Sequence, residues 1–169
     1  MTATNGNQYT IAPGGGNNAL YLDGGTTSGS LTVTSAPNLA SLNILGAAGN
    51  GPTLLGYSLT FANGDLETGS VSIDDWYTGG GGAINGLSRV DNFDNYDIGQ
   101  AGAFGLSEYS VSIALADQSS ILTGVAFSYN DGGSAAIFAL GGATPTPEPS
   151  TIALAGLGIA GLMAARRRK

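Results

Sequence analysis

The chain has 169 residues, enough for one domain and a tail, and contains neither cysteine nor histidine. Disulfide stapling, histidine-dependent triads and the usual zinc ligand sets are therefore excluded. Residues 1–147 carry eleven acids against one base, Arg89, so the body repels phosphate and has no basic patch for nucleic acid.

Glycine is abundant, at 29 residues, and charged residues make up only 10%. Aromatic and β-branched residues are spread along the body, which suits an all-β domain with many tight turns. Tyr9 to Ile11, Ala19 to Leu22 and Leu31 to Val33 are short strand candidates. Leu39 to Leu45 has apolar residues at both parities, Leu42 and Ile44 among them, which predicts a strand covered on both faces.

A hairpin follows. Tyr57, Leu59 and Phe61 alternate with polar residues, Asn63-Gly64 supplies the turn, and Asp65 to Ile73 returns. A two-residue loop opposes Phe61 to Leu66 and Leu59 to Thr68. Val71 and Ile73 then need a one-residue slip to share a face with Tyr57, and Gly69 is the expected bulge.

Residues 74–105 break the strand rhythm, as functional loops often do. Asp75, Trp76 and Tyr77 have the composition of a sugar-stacking platform; the alternative is that Trp76 plugs the core at the hairpin end. Arg89 stands near Asp91 and reads either as a loop-fixing ion pair or as a ligand clamp. Asp91, Asp94 and Asp97 offer oxygen ligands of the kind calcium takes, without EF-hand spacing; solvated loop acids are the simpler reading. No cofactor other than this calcium is expected. For hydrolysis the sequence offers only Asp74 or Asp75 with Glu108, and nothing in the spacing unites them. The expectation is a protein without catalytic residues.

Strands resume with Tyr109, Val111, Ile113 and Leu115, then a turn at Asp117 to Ser120. Ile121, Val125, Phe127 and Tyr129 alternate next. Asn130 to Gly133 has turn chemistry, and Ala135 to Leu140 closes the body. About eight strands without helices predict a jelly-roll-like β-sandwich over residues 1–142.

The remainder divides into a Pro-rich linker, residues 143–150, and a tail, residues 151–169. The prolines keep the linker extended. Thr151 to Ala165 is an apolar run reaching about 22 Å as a helix, short of the usual span but extended by snorkelling arginine stems. The alternative is a buried C-terminal helix. Arg166, Arg167, Arg168 and Lys169 follow as a membrane stop, and their charge keeps that end cytoplasmic with the acidic body outside.

Pro147-Glu148-Pro149-Ser150, the Gly/Ala/Leu-rich run and Arg166-Arg167-Arg168 together resemble the PEP-CTERM sorting signal of Gram-negative bacteria. Thr146 stands where valine is common in that family. The resemblance implies an exosortase as processing partner, a membrane-anchored state before cleavage, and delivery to the cell surface or exopolysaccharide matrix. It also implies a secretory signal peptide. Met1 to Gln8 has no basic start and no apolar run, so either translation starts further upstream or an N-terminal part lies outside this sequence. Phe61 to Asp65, Asp75-Trp76-Tyr77 and Tyr129 to Gly132 resemble jelly-roll, galactose-binding-like modules. The functions expected are a surface or matrix structural protein first, an exopolysaccharide-binding module second and a polysaccharide hydrolase third.

Overall fold

The computed structural model describes residues 2–10, 19–33, 38–77, 82–87 and 104–145. Seven strands lie in them: β1 (Leu20–Leu22), β2 (Ser28–Thr32), β3 (Ser41–Phe61), β4 (Leu66–Ile73), β5 (Ile84–Leu87), β6 (Phe104–Ser112) and β7 (Leu122–Ala143). All pairings between them are antiparallel. The described residues contain no helix, and so none long and apolar enough to cross a membrane.

Two long strands organise the sheet. β3 and β7 pair along their length, from Ser41 against Ala143 to Phe61 against Leu122. β1 and then β2 follow the outer edge of β7. On the far side of β3, β6 pairs with its first half and β4 with its second. β5 adds to β6.

The ribbon bends sharply at its middle. The register shifts between Gly49 and Thr53 of β3. Asn50 and Gly51 there have φ 62° and 100°, and Gly132 opposite has φ 107°. The strands touch at this point. A Cβ on Gly132 would lie 2.3 Å from the Pro52 carbonyl oxygen, and one on Gly133 would lie 2.1 Å from that of Gly49. Only glycine permits both the dihedral and the approach.

The bend folds one half of the sheet over the other. Side chains bridge β4 to β6 and to the turn after it. Tyr109 Oη accepts the Asp74 N–H at 2.6 Å, and Glu67 Oε1 accepts the Ala114 N–H at 2.9 Å. Between the halves lies one core, in which Ile44, Leu55, Leu59 and Ile73 are fully buried. Each such side chain contributes about 1.5–3 kcal/mol by leaving water.

The expected eight-stranded jelly-roll sandwich thus becomes, among the described residues, seven strands in a single folded sheet. Asn130 to Gly133 does not reverse the chain; it bends β7 in place, because β3 has a matching bend alongside. Tyr9, Leu115 and Ile121 lie outside any strand, although strands were expected to include them; the last two are exposed because the chain has already left β6 for the turn and has not yet entered β7. The 39–45 expectation holds: Leu42 to Ala48 are all buried, with Ile44 in the main core and Leu45 and Ala47 in a second cluster on the outer face.

The hairpin also forms, with its slip elsewhere. Thr60 pairs with Leu66 and Leu59 with Glu67. The loop is therefore one residue longer than expected, with Gly64 at φ 92°, and the whole slip is absorbed there. The β3–β4 register runs unbroken through Gly69. That glycine instead accommodates the Tyr57 ring, whose hydroxyl would be 2.3 Å from a Cβ at Gly69.

Candidate functional site

The outer face of the β1–β7–β3–β6 half carries Tyr9, Tyr21, Trp76 and Phe138. After β4 the chain docks beside β3: the Ala48 N–H donates to the Asp74 carbonyl at 2.9 Å, and the Trp76 N–H donates to the Ala48 carbonyl at 2.8 Å. Trp76 is thereby fixed over the sheet. Its ring lies 4.3 Å from that of Phe104, tilted by 33°, a contact worth about 0.5–1.5 kcal/mol beyond area burial. Tyr77 rests on Phe104 at 5.7 Å and is 53% exposed.

Asp75 acts as a clasp. Its carboxylate accepts the Gly51 N–H at 2.7 Å and the Tyr77 N–H at 2.8 Å. These bonds tie the Trp76 turn to the bend of β3.

Beside Trp76 is an open groove of about 370 Å³. Tyr21, Trp76 and Phe138 form its walls, and Ala47 and Ala136 its floor. Register explains the arrangement. Tyr21 pairs with Ala136, and Ala136 with Ala47, so a large, a small and a small residue sit in a row across β1, β7 and β3. In the fold Trp76 also packs against the cluster of Leu45, Ala47 and Leu106. Sequence reasoning singled out Trp76, as a stacking platform or as a core plug, and missed Tyr21 and Phe138. A signal for each was present: Tyr21 lies between Leu20 and Leu22, and Phe138 follows Ile137. With the aliphatic neighbour facing the core, the aromatic must face outward. Tyr77 is not part of the groove lining.

A second constellation centres on Glu108. One carboxylate oxygen accepts Asn5 Nδ2 and Asn7 Nδ2, each at 2.9 Å, and the other accepts the Tyr9 hydroxyl at 2.5 Å. Burial, and then the Glu108 carboxylate, push the Tyr9 hydroxyl far above the usual phenol range. The N-terminal segment is thus strapped to the outer face. Tyr109, the next residue, points the opposite way and reaches Asp74. Glu108 and Asp74 are therefore on opposite sides of β6, and no hydrolytic pair is assembled from them.

A third constellation joins the β3–β4 hairpin to the 115–120 turn. Asn63 Nδ2 donates to Asp65 at 2.7 Å and to buried Asp117 at 3.1 Å. Hydrogen bonding to Asp117 and its charge raise the Asp65 carboxyl. Burial, followed by Asp117, raises Glu67. Among the described residues no group of three acidic side chains is arranged to hold a metal.

Arg89, Asp91, Asp94 and Asp97 lie outside the described residues, as do Pro147, Glu148, Pro149, Ser150, Arg166, Arg167, Arg168 and Lys169. No curated protein and no solved structure matches the chain. Residues 145–169 match the family model of the PEP-CTERM protein-sorting motif, and this marks the chain as an exported protein sorted by an exosortase toward the cell surface.

Proposed function

We propose that this chain is a non-catalytic structural domain of the cell surface or exopolysaccharide matrix, delivered by its tail. The observation that carries this reading is the sorting motif at residues 145–169. In this account residues 151–165 hold the precursor in the membrane, the Arg166–Lys169 cluster stops it there, and cleavage near Pro147-Glu148-Pro149 frees the body. The fold supports a structural role. Asp75 and Glu108, two of the carboxylates considered for hydrolysis, accept hydrogen bonds that hold loops.

A second reading is that the domain binds exopolysaccharide, and the groove beside Trp76 favours it. Co-sedimentation with isolated matrix tests both. The structural reading expects the processed body to sediment with matrix from the producing cells. Release by soluble matrix polysaccharide marks carbohydrate binding as the means of attachment. A body that stays in the supernatant contradicts matrix association.

A further inference from the structure

We propose that the groove bounded by Tyr21, Trp76 and Phe138 is a binding subsite for an uncharged sugar unit of a polysaccharide. The inference rests on the carbohydrate-binding reading above and gives it a location and a ligand class.

Three observations converge. The first is shape. Tyr21, Ala136 and Ala47 occupy adjacent strands in register. Two strand spacings place β1 and β3 about 10 Å apart. The alanines keep the space between them empty, and the groove holds about 370 Å³, within the range of small-ligand sites. That is room for a flat pyranose ring bordered by aromatic walls.

The second is the preparation of the walls. Trp76 is already ordered by Phe104 and by backbone bonds to Ala48, so binding pays little to immobilise it. Tyr21 is 51% exposed on the edge strand β1. Its hydroxyl is held by the Asp23 carboxylate, which fixes the ring and leaves its face for the C–H side of a sugar.

The third is charge. No charged side chain among the described residues lines the groove, while Asn50 and Ser134 provide neutral hydrogen-bonding groups at its rim. Among the described residues there are eight carboxylates and no lysine, arginine or histidine. Such a surface repels uronate-rich or sulfated chains at the approach distances that matter in dilute salt. An uncharged hexose chain meets no such barrier.

Trp76 is the sole tryptophan of the chain, so its fluorescence reports directly on the site. The experiment titrates the full chain, in a detergent without a sugar headgroup, with soluble neutral glucan, galactan and mannan oligosaccharides, and with alginate as the anionic control. The expected result is a saturable change with at least one neutral oligosaccharide and none with alginate. Tyr21→Ala, which removes an exposed wall, and Ala136→Leu, which fills the floor, each weaken binding by about tenfold or more. Circular dichroism and unfolding midpoints close to wild type confirm that both variants fold.

Saturable binding that is unchanged in both variants overturns the subsite and leaves the carbohydrate reading standing. No binding to any neutral oligosaccharide, with matrix co-sedimentation not displaced by polysaccharide, overturns both. A Trp76 signal that follows protein concentration without sugar, and is lost in Ala136→Leu, assigns the groove to a second copy of the chain and also overturns the proposal.

Discussion

Three glycine-to-alanine substitutions separate two costs at the central bend. Gly64, in the hairpin loop, has φ 92° with open space around it. Gly133 has an ordinary φ, but a Cβ there would sit 2.1 Å from the Gly49 carbonyl oxygen. Gly132 combines φ 107° with a contact of 2.3 Å to the Pro52 carbonyl oxygen. A left-handed conformation costs an alanine about 1–2 kcal/mol. Forcing backbone apart to admit a methyl costs about 1–3 kcal/mol. All three variants share an entropic gain of about 0.4–1 kcal/mol from stiffening the unfolded chain. Gly132→Ala is therefore the most damaging, at a gross cost of about 2–5 kcal/mol, a large share of the 5–15 kcal/mol that holds a typical domain together. For a domain of this size, each kcal/mol lowers Tm by about 2–4 °C. Urea unfolding followed by Trp76 fluorescence gives the order directly. The expected order of stability is Gly64→Ala, then Gly133→Ala, then Gly132→Ala. Equal losses at Gly64 and Gly132 would refute the close approach of β3 and β7, and with it the account of the bend.

Two further outcomes are expected. Tyr9→Phe removes one hydrogen bond to the Glu108 carboxylate, which costs about 1.5–3 kcal/mol; hydrogen exchange at the Ala3 and Thr4 amides, bonded to Asn7 and Ala83, should accelerate, and unchanged exchange argues against the strap. Asp65 and Glu67 are both raised in the fold, so the folded state retains protons that the unfolded chain has released. Their contribution to stability is consequently present below the ordinary carboxylate range and is lost as pH rises through the raised values. Asp117→Asn keeps the Asn63 acceptor and removes the charge, so carboxyl NMR titration should show Asp65 falling toward its ordinary value. An unmoved Asp65 would contradict the coupling.

Local pattern made several elements readable. Leu39 to Leu45 shows its double burial because apolar residues occupy both parities, and only a strand covered on both faces tolerates that. The Asn63-Gly64 hairpin is readable because few turns accept a positive φ there, although the loop length was not, since Phe61 closes the loop with Asp65 through its own N–H at 3.0 Å. Asn130 to Gly133 misled for a physical reason. The residues that reverse a chain are also those that bend a strand, and the difference lies in whether a partner strand bends alongside. That partner is about 80 residues away in sequence, at Gly49 to Thr53, and no local pattern reveals it. The groove was half readable. Trp76 stood out as a lone tryptophan between acid and tyrosine. Tyr21 looked like ordinary strand filler until pairing with Ala136 set it across from Trp76. The tail was readable without any fold, because its three parts follow one another in order over a short span.

Export followed by exosortase cleavage is the claim on which the rest depends, and the mass of the C-terminal peptide tests it most directly. The protein is recovered from the surface fraction of cells with and without the exosortase. With the enzyme, the account predicts a body that ends near Pro147-Glu148-Pro149 and lacks the arginine cluster; without it, a membrane-bound chain that retains Lys169. A product that keeps Lys169 and stays inside the cell whether or not the exosortase is present would contradict it.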